Sequence, residues 1–275
     1  MSYETLGQGA LNYLPCRYGK SKLLYRGPCK EMAGEFVAMI GGTETYGKFI
    51  EQPYPALVDA ELNMECVNFG CVNAGVDVFA NDLVVIDACS KAQATVVQVV
   101  GAQNMTNRYY AVHPRRNDRF LRASAQLKAI FHEVDFSEFH FTRHMLGALQ
   151  KVSQERFGIV CDELKRAWTA RMKRLLGLIE SKTILLWFSD RAPDDPLSSV
   201  GLGHNPLFID RKMIEELRPI VTEVVEVVPS AGALAAGTQG MKFSPMEAPA
   251  ASELMGVAAH EEAGHALVKS LQRVL

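Results

Sequence analysis

Short, nearly continuous apolar runs alternate along the chain with segments whose apolar positions recur at helical spacing. The runs are FVAMIGG (36–42), ECVNFG (65–70), ATVVQVVG (94–101), TILLWFSD (183–190) and EVVEVVPS (223–230). Runs of this length, rich in β-branched residues and without polar alternation, predict strands buried on both faces. Between them, PYPALVDAEL (53–62) predicts a helix with Pro55 in its first turn, and VDVFANDLVVIDACSKA (76–92) carries a helix-like apolar face. From Glu155 to Lys182, the positions Phe157, Val160, Leu164, Trp168, Leu175 and Ile179 form one stripe of a long amphipathic helix. DRKMIEELRPIV (210–221) predicts another helix, and Ala263, Leu267, Val268, Leu271 and Val274 mark a terminal one. Five strands alternating with helices predict a three-layer α/β/α fold around a doubly wound, five-stranded parallel sheet, because right-handed crossovers place helices on both faces.

Three stretches depart from this alternation. Residues 1–35 scatter Gly, Tyr and Pro without periodicity and predict an N-terminal arm packed on a single domain formed by 36–275. Residues 102–154, rich in Arg, His and aromatics, read as an insertion after the third strand. The Ala/Gly/Pro-rich stretch 231–256 reads as a long connection, and loops of that length are usually functional or mobile. Ligands of such sheets bind beyond the carboxyl ends of the strands, so the loops 41–47, 70–77, 101–107 and 190–206 are expected to share one rim.

Composition adds little direction. The 275 residues are 48% hydrophobic and 22% charged with a net charge of −2, an ordinary globular balance that argues against general nucleic-acid binding. The start of the chain lacks a charged segment followed by an apolar one, and no run approaches the roughly 18 apolar residues of a spanning helix, so a cytoplasmic protein without a membrane partner is expected. Six cysteines without a C-x-x-C pair read as reduced thiols rather than zinc ligands. No cofactor is expected: Gly19-Lys20-Ser21 lacks the earlier glycine of a phosphate-binding loop, and His260 and His265 are five apart, on different faces of a helix. His140 and His144, with His132 or Glu138, have the spacing of metal ligands but read more simply as packing and hydrogen-bonding residues.

The rim loops hold the candidate chemistry. Gly41-Gly42-Thr43-Glu44-Thr45-Tyr46-Gly47 sets a hydroxyl in a glycine-bounded turn after the first strand, where it could attack a carbonyl if a base reached it; the plain alternative is a turn. Gly70, Gly75 and Asn104 stand in the loops after the second and third strands; both glycines could serve only tight turns, and Asn104 a cap. His260 could act as general base, oriented by Glu253 or a carbonyl, or be a helix-start surface residue. Arg108, Arg115, Arg116 and Arg119 form a basic cluster able to hold a carboxylate, sulfate or phosphate, or simply a solvated face.

Taken together and in chain order, these loops resemble the four blocks of the SGNH (GDSL-like) hydrolases. Gly41, Thr45 and Gly47 stand in register with Gly-Asp-Ser-x-Thr-x-Gly, but Gly42 replaces Asp and Thr43 the nucleophilic Ser. Asn104 lies one place later than the Asn of the third block, and Val257 occupies the acid position three residues before His260. The resemblance implies a flavodoxin-like, SGNH-hydrolase-like sheet and a hydrolase or acyl-transfer enzyme acting on an ester or acylated polar substrate, carbohydrate or other small molecule. It implies Thr43 as nucleophile, His260 as base, and Gly75, or failing it Gly70, and Asn104 as backbone and side-chain oxyanion donors; the basic cluster adds Arg115, Arg116 and Arg119 as residues able to hold an anionic group. The altered nucleophile and missing acid equally fit an inactive ligand-binding or scaffold protein. The whole chain also resembles an alphaproteobacterial family of unknown function, which implies no mechanism.

Overall fold

A computed structural model describes residues 9–195 and 201–275. The first eight residues of the N-terminal arm and residues 196–200 of the expected 190–206 rim loop lie outside the described residues. The described residues form seven strands: β1 (Phe36–Ile40), β2 (Glu65–Asn68), β3 (Ala94–Gln98), β4 (Tyr110–His113), β5 (Arg116–Ala123), β6 (Lys182–Phe188) and β7 (Glu223–Val227). Five of them form one sheet in the order β2-β1-β3-β6-β7. All its neighbours are parallel, with Val37 opposite both Cys66 and Ala94, Val96 opposite Ile184, and Leu186 opposite Val225. This is the doubly wound order whose strand direction of growth switches between β1 and β3, opening a crevice at their carboxyl ends.

The helices are α1 (Thr43–Tyr46), α2 (Tyr54–Leu62), α3 (Val76–Ala80), α4 (Leu83–Lys91), α5 (Ala125–Ile130), α6 (Thr142–Val152), α7 (Gln154–Leu178), α8 (Arg211–Leu217), α9 (Ala231–Ala235), α10 (Ala248–Ala251) and α11 (Val257–Val274). Strand side chains alternate between the two faces. Phe36, Ala38 and Ile40 of β1, with Leu185 and Trp187 of β6, join the core beneath α3, α4, α7 and α8. Val37 and Met39, with Ile184, Leu186 and Phe188, face α2 and α11. Both faces are thus apolar, which is why the strands read as unbroken hydrophobic runs.

The structure departs from the sequence expectations in three places. The 76–92 helix is divided, because the Asp82 side chain accepts the N–H groups of Val84 and Val85 at 3.0 and 3.3 Å and so caps a second helix, α4. The long helix stops at Leu178, and Lys182 already belongs to β6. The 102–154 segment contains an antiparallel β4–β5 hairpin together with α5 and α6. Described residues of the arm lie against the domain, with Tyr18, Leu23 and Tyr25 buried in the larger core. Among the described residues, no helix is long and apolar enough to cross a membrane.

Candidate active site

The crevice between β1 and β3 opens into a cavity of about 720 Å³. Its floor is the turn after β1 (Gly42, Thr43, Glu44) and the end of β3 (Gln98 to Gly101). Asn73 and Ala74 follow β2, Asp190 follows β6, and residues 201–206 close one side. The segment between β3 and β6 contributes Gln103, Asn104, Asp118, Phe141, Thr142 and Arg143, so it overhangs the rim.

Gln98 organises the floor. Its Oε1 accepts the Gly42 N–H at 2.9 Å, the Thr45 N–H at 3.3 Å and the Thr45 hydroxyl at 2.6 Å. Three donors on one oxygen fix the orientation of the amide, and its Nε2 then donates to Glu44 Oε2 at 3.1 Å. A Cβ on Gly41 would lie 2.0 Å from Thr45 Oγ1, so the close packing of this turn against Gln98 requires glycine there. Burial raises the Glu44 carboxyl above its ordinary pKa, against the Gln98 amide and its own N–H, which favour ionisation.

Thr43 lies on the floor, 9% exposed. Its hydroxyl accepts the Asn73 N–H at 3.0 Å and donates to Asn73 Oδ1 at 3.4 Å, bridging the first two rim loops. Asn104 also lines the cavity; its Nδ2 donates to the Asn73 carbonyl at 3.0 Å and its Oδ1 accepts the Thr142 hydroxyl at 2.7 Å. Among the described residues, the second hydrogen on Asn104 Nδ2 has no acceptor.

The other residues singled out in the sequence lie elsewhere. His260 does not serve Thr43: it is 1% exposed, its Nδ1 accepts the Tyr54 N–H at 3.2 Å, and its ring stacks on Tyr54 beneath the edge of Phe188. Burial, with a smaller contribution from the Arg26 charge, pushes its pKa down to about 3, so the imidazole is a neutral core group. Val257 cannot restore an acid to this pair, because it packs on the cluster of Phe49, Ile50, Met241 and Ala251. Gly75 does not face the cavity; its N–H is spent on Asn117 Oδ1 at 3.2 Å, and a Cβ would lie 1.6 Å from the Asn104 carbonyl oxygen. Gly70 is a packing glycine, whose Cβ would fall 2.2 Å from the Tyr46 nitrogen. Arg115, Arg116 and Arg119 are exposed on the hairpin and are not among the lining residues; Arg119 lies over the ring of Phe141, a lining residue, at 4.5 Å. Lys48 and Arg143 are the cations that line the cavity among the described residues. His132, Glu138, His140 and His144 gather no metal site; among the described residues no group of three or more His, Cys, Asp or Glu side chains is placed to hold an ion.

The pair that sequence reasoning missed is Asp190 and His204. Asp190 Oδ2 lies 2.5 Å from His204 Nδ1, and both residues line the cavity. A carboxylate can only accept, so a neutral His204 that donates to it from Nδ1 carries its lone pair on the opposite nitrogen, Nε2. Ser189, just after β6, donates its hydroxyl hydrogen to the Asn205 carbonyl at 2.6 Å, which ties the residue preceding the acid to the loop that carries the histidine. Arg191 fastens the same loop through the carbonyls of Pro206 and Ile209 at 2.9 and 2.8 Å. An acid directly after a strand was the available signal; a histidine 14 residues later has no fixed spacing to it. Gln103 was also passed over: 9% exposed, it lines the cavity and its Oε1 has no hydrogen-bond partner among the described residues.

A doubly wound α/β protein with a polar cavity at its switch point is thus defined. The chain belongs to the family described as domain of unknown function DUF6473, whose model matches residues 1–275. No curated protein matches it. Solved structures with a similar course include a protein described as lipolytic, of the G-D-S-L family, from Desulfitobacterium hafniense, at 15% identity and a TM-score of 0.41, covering 83% of this chain and 99% of that one. An α/β hydrolase from the Lake Arreo metagenome gives 12% identity and 0.43, covering 88% and 97%. A catalytic variant of an acetylxylan esterase from Geobacillus stearothermophilus gives 14% and 0.42, covering 86% and 93%.

Proposed function

We propose that the cavity is a hydrolytic or acyl-transfer site for an ester or acylated polar substrate, with His204 rather than His260 as its base. The observation that carries this reading is the Asp190–His204 pair at 2.5 Å on the wall of a cavity whose floor holds the Thr43 hydroxyl. Asp190 fixes the tautomer and stabilises the imidazolium that forms, while Nε2 takes the proton of the attacking hydroxyl, that of Thr43 or of water. The free hydrogen of Asn104 Nδ2 is available to the carbonyl oxygen as negative charge develops on it. Gln103 Oε1, buried and without a donor, supplies a recognition point for an N–H or O–H of the substrate.

The test compares hydrolysis of an aryl acetate by the wild type and by H204A, D190N and T43A. H204A and D190N should each lose about 10²-fold or more in turnover. T43A assigns the attacking oxygen: loss of turnover makes it Thr43, and retention makes it water. Wild-type protein that folds and hydrolyses nothing above background would leave the second reading, a binding protein without catalysis. That reading is favoured by one observation, the commitment of the Thr43 hydroxyl to Asn73 as both donor and acceptor.

A further inference from the structure

We propose that Glu44 is a further catalytic residue of this cavity, the general acid that protonates the departing oxygen of the substrate. The assignment rests on the acyl-transfer reading above and gives the cavity an acid on its floor to set against the His204 base on its wall.

Glu44 is adjacent to Thr43 and lines the same cavity. No cation is among the forces acting on its carboxyl, which are burial, the Gln98 amide and its own backbone N–H. An acid intended to stay ionised is normally given an arginine or lysine; this one is given a single rigid amide at 3.1 Å. Because Gln98 Oε1 is occupied by three donors, the amide cannot turn over to offer Glu44 an acceptor, and it addresses only Oε2. A proton held by this carboxyl leaves Oε2 to accept from that amide and sits on Oε1. A half-buried carboxyl, desolvated and without a counter-charge, holds a proton closer to neutrality than an ordinary glutamate does. Other charged side chains on this cavity are Lys48, Asp118, Arg143, Asp190 and Glu253, and Tyr54 is the titratable neighbour beneath the turn.

The proton balance is simple. The attacking oxygen gives its proton to His204 Nε2 as it bonds to the acyl carbon. When the tetrahedral intermediate collapses, the bond from that carbon to the departing oxygen breaks, and this oxygen takes the proton of Glu44. Where the attacking oxygen is that of water, the acid product leaves at this point; where it is that of Thr43, the acyl group stays on Thr43 until a water molecule, giving its proton to His204 Nε2, bonds to the acyl carbon, the bond to the Thr43 oxygen breaks and that oxygen recovers the proton from the imidazolium. Glu44 is reprotonated by exchange with solvent, and no oxidant is needed.

The experiment is the dependence on leaving group. A phenolate departs without help, whereas an alkoxide needs a proton. Acetate release from 4-nitrophenyl acetate and from ethyl acetate is measured for the wild type and for E44Q, in which the new amide oxygen still accepts from Gln98. The alkyl ester should lose about 10²-fold in turnover and the aryl ester less than about threefold. Equal losses on both esters, or none, would overturn the acid while leaving the hydrolase reading intact. A folded wild type inactive on both esters overturns that reading and the assignment with it. Should E44Q not fold, E44D, which withdraws the carboxyl by one methylene, must show the same selective loss of the alkyl ester for the proposal to stand.

Discussion

His260 is the residue at which the sequence pattern and the packed structure diverge most. Its position before the last helix suggested a base, but the ring is enclosed by Tyr54 and Phe188 and takes a backbone N–H. The consequence is measurable as a pH dependence of stability. A histidine with an ordinary pKa near 6.5 in the unfolded chain and about 3 when folded binds fewer protons in the native state. Its neutral form is therefore compatible with the fold above the unfolded pKa, and stability is lost as pH falls from 6.5 toward 3, by at most about 1.4 kcal/mol per pH unit. Glu44 has the opposite sign, because its raised pKa favours the fold on the acid side. Urea unfolding at pH 7 and pH 5 should show wild-type stability falling on acidification and a shallower fall in His260→Gln, whose amide retains an acceptor. An unchanged slope would place a proton on His260 in the folded protein.

At the scale of elements, the buried strands were legible and the polar ones were not. Sheet strands packed on both faces leave continuous apolar runs, and all five were readable for that reason. The β4–β5 hairpin has the opposite character: RNDRFLRA of β5 exposes its arginines, buries Phe120 and Ala123, and meets β4 with shifts of register. No alternation survives to announce it. Capping explains the divided helix, since Asp82 competes for backbone donors that apolar periodicity ignores. The cavity was legible in part: the rim loops and the hydroxyl of Thr43 follow from strand order, whereas the Asp190–His204 contact depends on how a loop folds back. Val257, which occupies the acid position of the resemblance, gives a prediction for α11. Val257→Asp exchanges packing against Phe49, Ile50 and Met241 for a carboxylate, and a favourable helix N-terminus offsets only part of the loss. Unfolding should show a destabilisation of about 1–3 kcal/mol without a gain in ester hydrolysis.

Across the whole molecule, the arm that gave no periodic signal ties the Thr43 turn to the core. Tyr25 and Tyr18 pack edge-on against Phe69 at 5.3 and 5.1 Å, so this segment completes the hydrophobic face of the sheet. The next residue, Arg26, donates to the carbonyls of Gly47 and Ile50 at 2.6 and 2.7 Å through one nitrogen and to that of Glu51 at 2.7 Å through the other. Those carbonyls belong to the segment that continues the Thr43 turn, and the planar fork of arginine is what reaches them together. Arg26→Met should leave partly buried acceptors without a donor and cost on the order of 3 kcal/mol in unfolding free energy. Arg26→Lys should recover only part, because a single ammonium cannot span both sides of the turn. Hydrogen exchange distinguishes this link from a general loss of stability. The Gly47 and Ile50 amides, which bond to Thr43 and Gly47 carbonyls, should lose protection ahead of the β3 and β6 amides in Arg26→Met. A uniform loss of protection across the sheet would mean that the arm contributes only burial and that the turn holds its shape without it.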